Sequence, residues 1–307
     1  MFSASGRNEN HLPSVPEAHD VLTGVTRRAA RDEAPQDTTA TRRLAWIITA
    51  IGVTLLLAVT LVRSSPPPSA SGSGGWRFDL REDFDSLSPS RWNVKNNTFS
   101  TNESSYLLAR NVSAGNGVLR VQGKREEVGG RHYSSGRIDT NGRYALPNYF
   151  RAEVRAKVPF QQGMWSAPLW FRPTDGGAGE IDLIETYGGE RDQPKVHQTI
   201  HTGYGPGHTY VTKSKRFSSV TSVASADWHV YTIEKTPGHI KMWVDGHLSA
   251  DFSAASASWF DQYYESGQKW NLRVNMQIGG TYGLPDDTTE WDRTILKLDY
   301  IKTWVPD

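Results

Sequence analysis

The chain has 307 residues, 37% hydrophobic and 22% charged, and its 34 Lys plus Arg against 33 Asp plus Glu leave a formal charge of +1. That balance excludes a disordered polyelectrolyte and removes the global field that would steer a polyanion, so no nucleic-acid partner is expected. The absence of cysteine excludes disulfide staples, thiolate nucleophiles and cysteine-ligated zinc.

Residues 1–43 are rich in Arg, Glu, Asp, Thr and Ala with no sustained apolar period, and read as a disordered cytoplasmic tail. Residues 44–62 (LAWIITAIGVTLLLAVTLV) carry no charge, and as a helix they would cover about 28 Å of hydrocarbon, enough for one transmembrane span. Arg27, Arg28, Arg31, Arg42 and Arg43 precede the run, whereas Arg63 alone follows closely, so the positive-inside rule places the N-terminus in the cytoplasm and the rest outside. The expectation is an uncleaved signal anchor in the cell membrane. Small residues at Ser69-Ala70-Ser71-Gly72 offer the rival, a cleaved and secreted form. Residues 63–75 join a stiff Pro segment to a flexible Gly/Ser segment and read as a linker.

From Trp76 to Asp307 short alternating segments rich in β-branched and aromatic residues are separated by turn signals such as Asn116-Gly117, Asn141-Gly142 and Asp245-Gly246. Strands are expected at 117–121, 150–158, 228–234, 240–244 and 296–304, with almost no helix. Many strands without strand-helix alternation predict an all-β antiparallel sandwich over 76–307.

The most informative segment is Gly179-Glu180-Ile181-Asp182-Leu183-Ile184-Glu185. In a strand Glu180 and Asp182 share one face while Ile181 and Leu183 enter the core on the other. Strict alternation would bury Glu185 in that core, and a one-residue β-bulge at Leu183 or Ile184 returns it to the acidic face. Three acids on one face fit a solvated surface, a calcium site or a catalytic set. Trp165, Trp170, Tyr187 and His201 nearby suit a sugar, whose C–H faces stack on rings, and point to a carbohydrate cleft with a polysaccharide as partner.

Glu180-x-Asp182-x-x-Glu185 resembles the signature of family 16 glycoside hydrolases in its bulged, laminarinase-like form. Asp83-Phe84-Asp85 with Trp92, Asn102-Glu103, Ser135-Gly136-Arg137, Gly163-Met164-Trp165, Thr199-Ile200-His201, Trp228-His229-Val230-Tyr231 and Gln277-Ile278-Gly279-Gly280 resemble further landmarks in the family's order. The resemblance covers essentially all of 76–307 and implies a concanavalin-like β-jelly roll. It also implies a retaining endo-β-glycosidase, most often acting on β-1,3-glucan, with galactan hydrolases, transglycosylases and noncatalytic glucan-binding modules as alternatives on the same scaffold. By position it makes Glu180 the nucleophile, Glu185 the general acid/base and Asp182 the residue bonded to the nucleophile. It puts His201 by the leaving group, Trp165 against a sugar, and Asn102 and Arg137 on glycone hydroxyls. No cofactor is implied for catalysis, and a structural calcium at Asp83 and Asp299 is a family-based expectation. A monomer is expected.

Two features depart from the pattern. Family members carry a second Trp four residues after the first, but Leu169 holds that place and Trp170 follows it, leaving open which ring lines the cleft. His197-Gln198-Thr199-Ile200-His201 nearly spells a zinc-protease motif, but Gln198 cannot act as a base, and on a strand the two histidines would lie about 13 Å apart.

Overall fold

The computed structural model describes residues 75–307, so the expected tail at 1–43, the apolar span at 44–62 and nearly all of the linker at 63–75 lie outside the described residues. Among the described residues no helix is long and apolar enough to cross a membrane. In chain order the strands are β1 (Trp76–Glu82), β2 (Asn93–Val94), β3 (Ser105–Leu107), β4 (Val112–Gly115), β5 (Val118–Gln122), β6 (Lys124–Val128), β7 (Arg131–Ser135), β8 (Arg137–Asp139) and β9 (Phe150–Lys157). They continue as β10 (Met164–Pro173), β11 (Glu180–Tyr187), β12 (Lys195–His201), β13 (Tyr210–Arg216), β14 (His229–Thr236), β15 (His239–Val244), β16 (His247–Phe252), β17 (Trp270–Ile278) and β18 (Ile295–Pro306). One short α-helix, α1 (Phe260–Tyr264), precedes β17.

The strands assemble into an all-β sandwich. One sheet runs β16-β15-β14-β9-β18-β5-β4, with β1 also paired to β18; the other runs β13-β12-β11-β10-β17-β8-β2. A small third sheet, β3-β7-β6, contains the parallel pair β3/β7. Local chemistry explains the hairpins. Asn116-Gly117 and Asp245-Gly246 all take positive φ, the mirror-image turn that matches strand twist, and they close β4/β5 and β15/β16. The five expected strands form with ends moved by one or two residues.

The core lies between the two large sheets. Leu119, Val121, Val154, Tyr231, Ile233 and Leu298 come from one, and Leu169, Phe171, Ile181, Leu183, Ile200 and Leu272 from the other. Phe150 of β9 and Phe171 of β10 bridge them with ring centroids 5.0 Å apart. Because β11 spends Ile181 and Leu183 on this core, its acids must emerge on the opposite, outer face of the β13–β2 sheet.

One core residue pins the strands that carry the site. Tyr264 of α1 is fully buried and stacks on Trp270. Its hydroxyl lies 2.8 Å from the Glu180 carbonyl and 2.7 Å from the His201 carbonyl, and it accepts the His201 N–H at 3.0 Å. The start of β11 and the end of β12 are therefore tied through one phenol.

Candidate active site

Strand β11 pairs Glu180 with His201 and Asp182 with Thr199; the register then shifts, and Glu185 pairs with His197. That irregularity between 182 and 185 is the bulge the acid spacing required, and it leaves Leu183 and Ile184 in the core. A matching irregularity lies directly across in β10, where Trp165 faces Tyr187 and Trp170 faces Asp182, with shifts in between. Pro168 sits within it; lacking an N–H, proline cannot complete the ladder there. The double bulge settles the open register. Trp165 and Trp170, five residues apart, both face the acids, and Leu169 turns into the core.

The acids occupy distinct environments. Arg172 Nη1 lies 3.6 Å from Glu180 Oε2, and the Tyr204 hydroxyl donates to that same oxygen. Asp182 Oδ2 is 2.9 Å from His201 Nε2, which is also 3.9 Å from Glu180 Oε1. Glu185 Oε1 accepts the Trp165 Nε1–H at 2.7 Å and Oε2 accepts the Tyr187 hydroxyl at 3.3 Å. Burial, reinforced by the Asp182 charge, pushes Glu185 up to about 8. Asp182 is also raised well above the carboxylate range, first by burial and then by Glu180. Burial lowers His201 below the ordinary imidazole value, so it is neutral near pH 7. Glu185 thus holds its proton at neutrality and burial biases Asp182 the same way, while Glu180 faces the donors that an anion needs.

The donor atoms of Glu180, Asp182 and His201 all lie within 4.8 Å of one another. A cation there would sit beside the Arg172 guanidinium and displace the Asp182–His201 bond, so the cluster fits a proton-sharing set better than a metal site.

The remaining expected residues divide. Trp165 is half-buried, with its ring edge-on to Tyr282 at 4.8 Å and Tyr187 at 6.0 Å, and those two tyrosines stack at 3.6 Å. Asn102 is exposed, and its Oδ1 accepts Gln277 Nε2 at 3.3 Å beside Trp165. Its loop is held close by Gly280, at φ 82°, where a Cβ would lie 2.1 Å from the Asn102 carbonyl. Trp170 requires a correction: it is 7% exposed, the Arg137 and Arg273 guanidiniums lie 4.9 and 5.0 Å from its ring, and its Nε1 donates to Asn275. It supports the cleft floor and offers no open face for a sugar. Arg137, on β8 of the same sheet, is placed over that ring. The calcium expectation does not fit: Asp83 accepts Arg81 Nε at 2.6 and 2.8 Å, and Asp299 accepts Arg155 Nη1 at 2.6 Å, so both carboxylates are committed to guanidiniums. His197, part of the near-miss zinc motif, bonds Glu190 and Ser214, each at 2.7 Å.

Sequence reasoning missed Tyr204, Arg172 and Tyr282. Arg172 follows Trp170 by two residues and so shares its face, a signal that parity offered once Trp170 was placed. Tyr204 lies on a glycine-rich connection, and nothing in its local sequence aims it at Glu180.

Trp165→Phe removes the indole donor that favours ionised Glu185. The alkaline limb of kcat/KM should then move to higher pH than in the wild type, measured by initial rates from pH 5 to 10. An unmoved or lowered limb would contradict this coupling.

An all-β sandwich with three carboxylates on one strand, bordered by aromatic rings and set in unequal surroundings, defines the glycoside hydrolase class. The family described as Glycosyl hydrolases family 16 matches residues 83–300, and the chain belongs to that family. It is 34% identical over 194 residues to a β-glucanase of Rhodothermus marinus, covering 58% of this chain and 65% of that protein. It is 27% identical over 202 residues to the endo-1,3-1,4-β-glycanase ExsH of Rhizobium meliloti, covering 64% of this chain and 40% of that protein. The chain thus spans less than two thirds of either relative. Among solved structures, the laminarinase from Rhodothermus marinus superposes with a TM-score of 0.65 at 29% identity, over 77% of this chain and 100% of that one. Glycosidases of this family need no cofactor for catalysis, and their retaining mechanism is characteristic.

Proposed function

We propose that the protein is a retaining endo-β-glycosidase that hydrolyses extracellular β-1,3-glucan. The observation that carries the reading is the unequal state of the two flanking glutamates: Glu185, raised to about 8, keeps its proton at neutrality, while Glu180 is turned to a cation and a hydroxyl donor. A retaining glycosidase needs this pair, one acid to protonate the departing oxygen and one carboxylate to attack the anomeric carbon. In this reading Glu180 attacks, Glu185 protonates and later deprotonates, and Asp182 with His201 tunes the nucleophile's surroundings. The half-buried Trp165 and the stacked Tyr187/Tyr282 pair border the acid/base and suit the faces of a pyranose. Asn102 and Arg137 are assigned to the glycone side. The glucanase relatives support the choice of glucan.

From the sequence alone we infer that residues 76–307 are held outside the cell by the 44–62 anchor, as a monomer. Protease shaving of intact cells should release the C-terminal part and spare the tail; digestion of the tail would reverse that topology.

The catalytic reading is tested by incubating the full-length protein with laminarin, lichenan, agarose and carrageenan. Laminarin should yield new reducing ends fastest, and proton NMR should show the β-anomer first. No release from laminarin, or immediate appearance of the α-anomer, would overturn the proposal.

A further inference from the structure

We propose that Tyr204 is a positioning residue that governs the second half of the reaction, departure of Glu180 from the glycosyl-enzyme, by donating its hydroxyl to the non-attacking oxygen of that carboxylate. The inference rests on the retaining reading above.

Tyr204 stands on the connection between β12 and β13, at the tip of Gly203-Tyr204-Gly205-Pro206-Gly207. Gly203, Gly205 and Gly207 take φ of 132°, 100° and 80°, conformations that side chains rarely adopt. Thr202 and Thr209 clamp the base of this loop, the Thr202 N–H donating to the Thr209 carbonyl at 2.9 Å and the Thr209 N–H to the Thr202 hydroxyl at 3.0 Å. Although the residue is 64% exposed, its hydroxyl reaches inward to Glu180 Oε2. Its ring lies 4.1 Å from the Arg172 guanidinium. Arg172 Nη1 is buried without a hydrogen-bond partner and sits 3.6 Å from the same Oε2. Tyr204 therefore both binds the carboxylate and covers the cation beside it, which strengthens that charge by excluding water. The other groups facing Glu180 are Asp182 and Glu185 from its own strand and His201 from β12, none of which bonds Oε2.

The geometry leaves Oε1 as the attacking atom. In the first step the bond from Oε1 to the anomeric carbon forms as the bond to the leaving oxygen breaks, and that oxygen takes the Glu185 proton. In the second, a water oxygen bonds the anomeric carbon as its bond to Oε1 breaks; the water proton returns to Glu185 and the electron pair to the Glu180 carboxylate. A donor on Oε2 stabilises the charge that reappears there, and so acts on the leaving step. Burial and the Glu180 charge hold the Tyr204 phenol above its ordinary range, so the proton needed for donation is present throughout the working pH.

The test uses full-length protein, a dinitrophenyl β-laminaribioside, whose good leaving group makes the second step limiting, and the matching 2-deoxy-2-fluoro glycoside as a trap. Tyr204→Phe keeps the ring over Arg172 and removes only the donor. It should lower kcat by about ten- to a hundredfold, the effect of losing a hydrogen bond to a charged group. KM should fall by a similar factor, with a dinitrophenol burst equal to the enzyme present, and the trapped enzyme should reactivate more slowly by the same factor. Arg172→Met, which leaves the phenol in place, should slow reactivation too. A Tyr204→Phe variant whose KM rises, or whose kcat and reactivation rate stay within about twofold of wild type, overturns the proposal. If Tyr204→Phe fails to fold, Tyr204→Leu, which also lacks the hydroxyl, takes its place, and reactivation within about twofold of wild type overturns the proposal. A wild type that neither turns over nor is trapped counts against the retaining reading itself, a separate result.

Discussion

Glu180→Gln should reduce laminarin hydrolysis by at least about 10⁴-fold, nearly all of it in kcat. The amide matches the carboxylate in shape but cannot form a stable ester with the anomeric carbon, so the two-step route is lost and only positioning and proton donation remain. The sugar contacts proposed for Trp165, Tyr282 and Asn102 do not involve Glu180, so KM should stay within a few-fold. The substitution also leaves Arg172 buried with no anion at 3.6 Å, which should lower the melting temperature by a few degrees. Asp182 loses the neighbouring charge that helps hold its proton, so its titration should move toward the ordinary carboxylate value, readable by carboxyl NMR. Steady-state rates with a burst control for contaminating wild type decide the matter. Activity within about a hundredfold of wild type would falsify the assignment of Glu180 as nucleophile.

The sequence made the scaffold readable because its signals are local. Alternating segments marked β9, β14 and β18 as strands, and Asn-Gly and Asp-Gly dipeptides marked two hairpins whose residues do take left-handed φ. The carboxylate strand was legible for a stronger reason: Glu185 could not be buried among Ile181 and Leu183 without a compensating kink, so the cost of a charge in the core predicted the bulge. The same logic was available across the ladder and went unused. Pro168 between Trp165 and Trp170 breaks the pairing as surely as the acid spacing does, and it fixes both rings on the cleft side.

What stayed hidden depends on contacts between distant segments. Trp170 looked like a sugar platform, yet Arg137 of β8 and Arg273 of β17 cover it, and that meeting follows from strand order rather than from any motif. Asp83 and Asp299 looked like ion ligands until Arg81 and Arg155 claimed them. Tyr204 was invisible because a loop's direction is set by its glycines and its anchors together.

Glu185→Ala should separate the two halves of the reaction. On laminarin, whose alkoxide leaving group needs a proton, kcat/KM should fall by about 10³-fold, within the range for loss of general acid/base catalysis. On a dinitrophenyl β-laminaribioside the leaving group needs no proton, so the first step should survive and the glycosyl-enzyme should accumulate. Azide needs no deprotonation to attack, and it should restore turnover and give a β-glycosyl azide. In the wild type, Glu185 must be protonated for the first step, so kcat/KM on laminarin should decline as pH rises through about 8, and that limb should vanish in the variant. Stability gives an independent check through Glu185→Gln. The folded-state proton affinity of Glu185 is raised above its unfolded value of 4.5, so its contribution is fully present below that pH and is lost as pH climbs toward about 8, a loss of a few kcal/mol. The uncharged variant is spared this loss, and its melting temperature relative to wild type should rise steadily between pH 5 and pH 8. A difference that stays flat over that window, together with a laminarin rate within tenfold of wild type, would remove Glu185 from the acid/base role.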